Sequence, residues 1–286
     1  MILSQHKNYE LLDCSGGEKL ERFVDRVVIR PDPQVIWKTP RNHPLWSKAD
    51  AAYTRSSTGG GKWEISNLPA FIDFEYNSLI MRLKPMNFKH MGIFPEQASN
   101  WDFAFDMIKK SERKIKVLNL FAYTGGATLA CAKAGAEVCH VDAARGIVAM
   151  AKENAKLSGL ETAPIRYIID DCIKFVEREV RRGNKYDAII MDPPSYGRGP
   201  SGEVWKLEDK LYDLLQCCTG ILSDNPLFFI LNSYTTGFSS GTIAYSLQST
   251  VLKDRNGTVQ ADELGLEVKD SKLVLPCGST ARVSFL

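Results

Sequence analysis

Five consecutive residues combine the side chains of a chemical site: Asp192, Pro193, Pro194, Ser195 and Tyr196. Asp192 ends the apolar run 185–192, which is typical of a buried strand. The two prolines lack N–H donors, so this loop presents the acid and carbonyl oxygens to a ligand. Tyr196 supplies a ring that can stack on a planar substrate. The alternative interpretation is a turn that uses proline for its shape alone.

Two further acids lie where predicted strands end. Asp142 closes the run 137–142, about twenty residues after a glycine pair, and a carboxylate there suits the two hydroxyls of a ribose. Asp171 follows the run 164–170 in the same way. Each acid has an alternative role as the N-cap of the helix that follows it.

The loop after the run 116–122 contains Gly125 and Gly126 ahead of an alanine-rich helical stretch. Glycines there let the backbone approach a ligand closely, and the helix N-terminus can face an anionic group. The spacing does not match the G-x-G-x-x-G fingerprint of dinucleotide binders, nor is it followed by the G-K-[ST] of a phosphate-binding loop. A dehydrogenase is therefore disfavoured.

The elements that position these loops alternate regularly from about residue 112 onwards. Helical stretches separate five strand-like runs, at 116–122, 137–143, 164–170, 185–192 and 227–234. This alternation predicts βαβ units and a doubly wound, parallel α/β sheet. In such a sheet, ligands bind at the carboxyl ends of the strands, where the loops above lie. The tail of the sequence predicts two closing strands.

The first 88 residues have a different character, with short apolar or alternating runs between glycine-, proline- and serine-rich stretches. Short strand-like runs separated by turn-forming residues predict a small β-rich N-terminal domain. We therefore predict two domains, 1–88 and 89–286. After the tyrosine of the proline loop, the residues Gly197, Gly199, Pro200 and Gly202 predict a mobile lid.

The charge, the cysteine and histidine spacing and the apolar runs of the chain argue against several classes of protein. The 286 residues include 36 basic and 34 acidic side chains, so a chain-wide electrostatic clamp on nucleic acid is excluded, but a local basic patch is not. The seven cysteines and four histidines lack metal-site spacing, so we expect reduced thiols and no metal. We find no apolar leader and no apolar run of about 20 residues, and we expect a cytoplasmic protein without a membrane span.

In this order, the stretches NLFAYTGG, VD, DD and DPPSY resemble the motifs of class I S-adenosylmethionine-dependent methyltransferases. More narrowly, the chain resembles the bacterial large-subunit (23S) ribosomal RNA base methyltransferases, which include cytosine-C5 and guanine-N7 enzymes. The resemblance covers roughly residues 85 to 235. The stretch 92–100 is similar to the family's G-x-F-x-D-Q-R segment, with Glu96 and Ala98 in place of the acid and the arginine.

The resemblance implies a Rossmann-like methyltransferase sheet with S-adenosyl-L-methionine as its cofactor. It implies that Phe94 and Gln97 cover the cofactor from the N-terminal side. It places the methionine part of the cofactor against Asn119, Phe121, Tyr123, Thr124 and Gly125. It assigns the ribose hydroxyls to Asp142 and the adenine to Asp171 and Cys172. The loop Asp192–Tyr196 then bounds the pocket of the methyl acceptor, where catalysis consists mainly of positioning.

The resemblance makes RNA the expected partner, with ribosomal RNA favoured. Cytosine-C5 methylation needs a thiolate that attacks the ring. The cytosine enzymes have that cysteine after the fifth strand, whereas the stretch 231–237 has none and the proline loop offers Ser195. Cys217 and Cys218 lie within a predicted helix, where core packing is the expected role. These departures favour a nitrogen of a nucleobase, flipped out and stacked on Tyr196.

Other functions stay open at this point. A protein or small-molecule acceptor is possible because the first domain is not the RNA-binding module expected of that family. The basic clusters 109–116 and 178–185 are also more typical of solvated helix ends than of RNA contacts. A catalytically idle scaffold is disfavoured by the intact proline loop. The sequence leaves the oligomeric state undetermined.

Overall fold

The computed structural model describes residues 1–56, 60–86, 88–198 and 204–285. The chain forms two compact units, Met1–Ala98 with Leu264–Cys277 and Ser99–Glu263 with Gly278–Leu286. The first unit extends to Ala98, past the predicted boundary at residue 88. The backbone explains this extension, because Lys84 donates its N–H to the Met91 carbonyl at 3.1 Å and Met86 donates to the His90 carbonyl at 2.9 Å. Residues beyond 88 are thereby bonded to the end of the β-rich region.

The first unit is rich in β-structure, as the sequence predicts. Its strands are β1 (Ile2–Leu3), β2 (Tyr9–Ser15), β3 (Glu18–Phe23), β4 (Arg26–Pro31), β5 (Ala51–Arg55), β6 (Gly61–Ile65), β7 (Ile72–Tyr76) and β8 (Leu79–Leu83). Strands β2 to β6 form a sheet in chain order, in which β4 and β5 pair in parallel, and β7 and β8 form a hairpin. Short 3-10 helices lie at Pro44–Ser47 and Pro95–Gln97.

The segment Leu264–Cys277 joins the first unit through β2. Lys269 donates its backbone N–H to the Leu11 carbonyl at 2.8 Å. The Nζ atom of the same lysine lies 2.7 Å from Oε2 of Glu10. Leu11 itself forms a parallel bridge with Val268. Backbone and side chain together therefore bind this late segment to an early strand.

A buried ion cluster lies inside the first unit. Arg30 donates to both carboxylate oxygens of Glu21, at 2.6 and 2.7 Å, and the Tyr9 hydroxyl donates to the same carboxylate at 2.9 Å. Lys19 Nζ lies 3.4 Å from Glu21. Glu21 is 0% exposed, and its burial opposes ionisation. Arg30 and Lys19 outweigh this penalty and lower the pKa of Glu21 to about 2.

The second unit alternates strands and helices. Its strands are β9 (Lys116–Leu120), β10 (Glu137–Asp142), β11 (Ile165–Ile169), β12 (Ala188–Met191), β13 (Tyr196–Arg198), β14 (Val204–Lys206) and β15 (Phe228–Ser233). The last two strands, β16 (Gly257–Glu267) and β17 (Val274–Phe285), belong to it only in part, because their residues between Leu264 and Cys277 are counted in the first unit. The helices are α1 (Ala98–Lys110), α2 (Gly126–Lys133), α3 (Arg145–Leu157), α4 (Cys172–Arg182), α5 (Leu207–Thr219) and α6 (Ser240–Ser249). Within the described ranges, none of these helices is long and apolar enough to cross a membrane.

The sheet of the second unit confirms the predicted doubly wound α/β fold. Its parallel strands lie in the order β11–β10–β9–β12–β15, and β17 pairs antiparallel with β15. Because β10 and β12 flank β9 on opposite sides, the strand order reverses between β9 and β12, which is where ligands bind in such sheets. The two tail strands are also confirmed, as β16 and β17.

Both faces of this sheet are covered, which explains why its strands read as continuous apolar runs. On one face, Leu118 and Leu120 of β9 belong to a core with residues of α4, α5 and α6. On the other face, Val117 of β9 and Ile190 of β12 pack with residues of α1 and α2. The strands are therefore held rigidly, and the loops at their carboxyl ends begin from fixed positions.

The two basic clusters lie at helix ends near the amino edge of the sheet. Arg113, between α1 and β9, is paired with Asp187 at 2.8 Å, just before β12. Lys185 donates from Nζ to the Gly220 carbonyl at 2.8 Å, at the end of α5. Cations near carbonyls at a helix C-terminus are favoured by the helix dipole. These contacts support the helix-end interpretation for both clusters, at the edge opposite the carboxyl ends of the strands.

Candidate active site

Three of the predicted loops are hydrogen-bonded to one another at the carboxyl edge of the second unit. The N–H of Tyr123, after β9, donates to Oδ2 of Asp142, at the end of β10, at 3.0 Å. The N–H of Phe121 donates to Sγ of Cys172, the first residue of α4, at 3.3 Å. The structure thus brings together the residues predicted for the methionine, ribose and adenine parts of a cofactor.

The backbone of the loop 121–125 is unusual. Phe121, Tyr123 and Gly125 have φ angles of 54°, 50° and 94°, respectively, so left-handed residues alternate with ordinary ones. An aromatic residue rarely adopts this conformation, and such strain clusters at functional sites. Ala122 holds the loop in place by donating its N–H to the Val141 carbonyl at 3.1 Å.

Asp142 fastens this loop to the end of β10. Its Oδ2 accepts from Tyr123 as described, and its Oδ1 accepts the N–H of Ala144 at 2.9 Å. The N-cap of α3 is Ala144, so Asp142 does not cap that helix. Burial raises the pKa of Asp142, and the two backbone N–H groups oppose that rise. Each carboxylate oxygen keeps a lone pair, so Asp142 can accept hydrogen bonds from two further hydroxyls.

Asp171 and Cys172 have structural partners of their own. Oδ1 of Asp171 accepts the N–H of Lys174 at 2.9 Å, and Asp171 is the N-cap of α4. Cys172 is buried beneath Phe121, and this burial raises the pKa of its thiol. The capping alternative for Asp171 is therefore observed, while the contact of both residues with an adenine stays a prediction.

A buried polar chain that the sequence analysis missed lies below the loop. Asn119 donates from Nδ2 to Oγ1 of Thr128 at 2.9 Å, and this hydroxyl lies 2.9 Å from Nδ1 of His140. Burial lowers the pKa of His140 to about 3, so the imidazole is neutral at neutral pH. Asn119 and His140 are register partners on β9 and β10, and each is a polar residue inside an apolar run, which is the signal that could have paired them.

The glycine pair has a packing role as well as a conformational one. A Cβ atom on Gly126 would lie 2.4 Å from Cζ2 of Trp101, so only glycine admits this indole beside the start of α2. Gly125 needs its positive φ, and a Cβ there would lie 3.2 Å from Cβ of Ala151. Thr124, between these residues and the strand, is buried, and its carbonyl accepts from Nδ2 of Asn154 at 2.9 Å.

The proline loop is held by residues that follow it in the chain. Trp205 donates its indole N–H to the Pro194 carbonyl. Leu207 donates its N–H to the Ser195 carbonyl at 3.1 Å. Thr235, after β15, donates its hydroxyl to Oγ of Ser195 at 2.7 Å. The sequence does not predict the roles of Trp205 and Thr235, because their contacts join segments that are distant in sequence.

The hairpin of β13 and β14 separates two aromatic residues onto opposite faces. Tyr196 pairs with Lys206, and Gly197 pairs with Trp205. Since directly opposed residues share a face and neighbours alternate, Tyr196 and Trp205 point in opposite directions. The Tyr196 side chain is 53% exposed, so it is available for contact with another molecule. Of the predicted lid, Gly199, Pro200 and Gly202 lie outside the described residues.

Phe94 and Gln97 belong to the first unit. The ring of Phe94 lies 5.3 Å from that of His90, and Gln97 is buried. Their contact with a cofactor stays a prediction.

Residues 65–217 match the family model of S-adenosylmethionine-dependent methyltransferases. The chain belongs to this family. Among solved structures, the S-adenosylmethionine-dependent methyltransferase from Agrobacterium tumefaciens is 36% identical, with a TM-score of 0.93 over 99% of this chain and 93% of that one. The structure of SMU.776 complexed with SAH has a TM-score of 0.75 at 19% identity over 99% of this chain and 76% of that one, and shares the fold.

Among curated relatives, ribosomal RNA large subunit methyltransferase I of Aeromonas hydrophila is 31% identical to this methyltransferase over 199 residues. That match covers 68% of this chain and 46% of the relative. This methyltransferase thus spans about half the length of the curated relatives it matches. The match covers 46% of the relative above and 51% of a second one.

S-adenosyl-L-methionine, the cofactor of this family, fits the residues described. The lone pairs on the Asp142 oxygens suit its ribose hydroxyls, and the first N–H groups of α2 have no partners within the helix and suit its carboxylate. When bound, the cofactor supplies an electrophilic methyl group on a sulfonium. The loops after β9 and β10 are the parts of this chain that we predict to bind it and to orient it toward the acceptor.

Replacing Asp142 by alanine is expected to weaken binding of S-adenosylhomocysteine by about 1–3 kcal/mol, because the ribose hydroxyls lose their acceptor. The raised pKa adds a pH dependence: protonation removes the acceptor, so wild-type affinity should fall on acidification at a higher pH than for an ordinary aspartate. Calorimetric titration measures both effects. Asp213→Ala is the control, because it removes an exposed acid on α5 outside the site. An Asp142→Ala variant with wild-type affinity would restrict Asp142 to bracing the loop.

Proposed function

We propose that this methyltransferase transfers the methyl group to a nitrogen of a nucleobase in RNA, with ribosomal RNA of the large subunit as the favoured substrate. The curated relatives that match most of this chain are named as methyltransferases of that RNA. Such a substrate implies a cytoplasmic location. The choice of a nitrogen as the methyl acceptor, rather than carbon 5 of cytosine, rests on the burial of the cysteine thiols of this chain.

The state of the cysteines is the observation that favours a nitrogen acceptor. Six of the seven are buried, and Cys217 is half-buried. Burial raises the pKa of every one of the seven thiols. Carbon 5 of cytosine needs a thiolate that attacks the ring, and a raised pKa disfavours the thiolate. A nitrogen has its own lone pair and needs no covalent step.

In this proposal the proline loop holds the acceptor. The carbonyls of Pro194 and Ser195 already accept from Trp205 and Leu207. In the proposal, the Asp192 carboxylate and the Pro193 carbonyl accept an N–H of the base, and the Ser195 hydroxyl donates to it. Asp192 also takes up the proton that the nitrogen loses. Fixing the nitrogen in line with the methyl group then supplies most of the rate enhancement.

Exposed cations surround the carboxyl edge of the second unit, where an RNA backbone would pass. Arg145 begins α3, Lys174 lies in the first turn of α4 and Lys206 ends β14, and all three are exposed. Arg145 and Lys174 follow β10 and β11, whose carboxyl ends form the site, and Lys206 lies in the hairpin that follows the proline loop. Phosphate contacts by lysine and arginine position RNA without reading its sequence. This arrangement supports an RNA acceptor more strongly than the two clusters at the amino edge do.

Replacing Tyr196 by alanine is expected to slow methyl transfer to RNA several-fold while the affinity for S-adenosylhomocysteine stays at the wild-type value. The reason is that the exposed ring contacts the RNA, and base–aromatic stacking contributes about 1–3 kcal/mol per base. Initial rates and calorimetry separate the two effects, with Tyr196→Phe as the matched control that keeps the ring. Weaker cofactor binding in Tyr196→Ala would contradict the stacking role.

The proposed function is tested in two steps on the full chain. Saturation with S-adenosyl-L-methionine or S-adenosylhomocysteine at about 100 times the dissociation constant should stabilise the protein by about 2.7 kcal/mol, and NAD should not. Labelled methyl transfer onto deproteinised ribosomal RNA, followed by nucleoside digestion, then identifies the product. An N-methyl nucleoside supports the proposal. A 5-methylcytidine product would refute the nitrogen assignment, and label found only in protein or small molecules would refute the RNA assignment.

A further inference from the structure

Trp205 contacts both loops of the candidate site. Its indole N–H donates to the carbonyl of Pro194, in the proline loop. Its ring lies 5.3 Å from that of Phe121, tilted by 49°. Phe121 is the first residue of the loop after β9. One half-buried side chain therefore joins the loop assigned to the cofactor to the loop assigned to the acceptor.

The position of Phe121 depends on the conformation of the loop assigned to the cofactor. Phe121 has a φ angle of 54°, a conformation that costs an aromatic residue energy and persists only because its surroundings impose it. Its N–H donates to Cys172, beside the position assigned to the adenine. A change in the loop that relaxes or fixes Phe121 must therefore also alter the position or mobility of the Trp205 indole, which packs against it.

The Pro194 end determines where the acceptor sits. Pro194 has no N–H, so the side chain of Trp205 fixes this residue through its carbonyl. Pro194 lies directly between Pro193 and Ser195, which offer the acceptor a carbonyl and a hydroxyl in the proposed function. The register of the hairpin places Trp205 on the face opposite Tyr196 and Lys206, and this face carries the contact with Phe121.

We propose that Trp205 is a positioning residue that couples occupancy of the cofactor loop to the placement of the acceptor loop. Cofactor bound at residues 121–125 restrains Phe121, the ring contact transmits this restraint to Trp205, and the indole N–H fixes Pro194 for the acceptor. The cofactor half of this coupling rests on the family, and the acceptor half rests on the proposed function.

The coupling is tested first without any acceptor. Protein labelled with 5-fluorotryptophan contains five indoles, at positions 37, 46, 63, 101 and 205, and Trp→Phe variants assign their ¹⁹F signals. S-adenosylhomocysteine is expected to shift the Trp205 signal. Trp63 is the matched control, because its indole N–H also donates to a backbone carbonyl, that of Met86, within the first unit. A Trp205 signal that stays unmoved while calorimetry shows saturation would overturn the coupling.

The second arm uses Trp205→Phe, which keeps an aromatic ring beside Phe121 and loses the N–H. Transfer to ribosomal RNA at saturating cofactor is expected to fall about tenfold, as for the loss of one hydrogen bond, with the affinity for S-adenosylhomocysteine near the wild-type value. An unchanged rate would overturn the positioning role, as would equal losses in rate and affinity. A wild-type protein that binds the cofactor and methylates no RNA would instead refute the proposed function, and the ¹⁹F arm would still decide the coupling.

Discussion

An Asp192→Asn variant is expected to bind S-adenosylhomocysteine like the wild type and to transfer methyl groups about 10²–10⁴ times more slowly, the range of general-base catalysis. The substitution keeps the size of the side chain and removes its charge. In the proposed function, Asp192 accepts an N–H of the base and takes up its proton, and an amide cannot hold that proton. The effect should appear in kcat, because the acceptor is still held by its neighbours in the loop.

Single-turnover rates with the cofactor already bound measure this effect without interference from product release. Asp213→Asn is a suitable control, since Asp213 is an exposed acid on α5 and its replacement removes the same charge elsewhere. A variant at Asp192 that retains more than about a tenth of the wild-type rate would show that this carboxylate is not the proton acceptor. A loss of cofactor affinity would reassign it to the cofactor.

Replacing Glu21 by leucine is expected to lower the free energy of unfolding by about 3–5 kcal/mol, because Arg30 and Lys19 would then be buried without their carboxylate. Glu21 is 0% exposed and Arg30 is 3% exposed, so water cannot compensate. Urea unfolding followed by fluorescence and circular dichroism measures the loss. Since Glu21 and Arg30 belong to the first unit, the transition of that unit should move.

Two comparisons isolate the role of burial. Asp73→Ala breaks the Arg82–Asp73 pair of the β7–β8 hairpin, in which the Asp73 side chain is 48% exposed, and should cost at most about 1 kcal/mol. The double variant Glu21→Leu with Arg30→Met removes both charges and should recover part of the loss. A single variant as stable as the wild type would mean that the cluster contributes no net stability.

The same cluster sets an expected pH dependence. The pKa of Glu21 is about 2 in the folded protein and near 4.5 in the unfolded chain. A lowered carboxylate pKa contributes stability that is fully present above the unfolded value and is lost as the pH falls toward the folded value. The difference in stability between wild type and Glu21→Leu should therefore be constant near neutral pH and shrink between about pH 4.5 and pH 2.

The sequence predicts the sheet and its loops because periodicity and strand-end residues are local signals. Asp142 and Asp192 end apolar runs, and the parallel arrangement then brings them to one edge. Helix stops are equally local: Ser158 and Gly159 predict the end of α3, which ends at Leu157. The general location of the site therefore follows from short stretches of sequence.

The hydrogen-bond partners of buried side chains, in contrast, do not follow from the local sequence. Asn119 is predicted to lie against the methionine part of the cofactor, and in the structure its amide donates to Thr128, whose hydroxyl in turn contacts the neutral His140. Local sequence does not show which buried polar groups will satisfy one another. Strand register raises the same difficulty for Tyr196, since a shift of one residue would exchange its face with that of Trp205.

Because Leu264–Cys277 returns to β2, the two units interleave along the chain, with Gly278–Leu286 of the second unit following the returning segment of the first. Lys269 can reach the Leu11 carbonyl only after the residues of the second unit up to Glu263 have been synthesised. During translation, β2 therefore emerges long before its partner, and contacts of such large sequence separation form slowly. Neither unit is therefore complete until a late segment has been synthesised, because β2 waits for Leu264–Cys277 and β15 waits for its antiparallel partner β17.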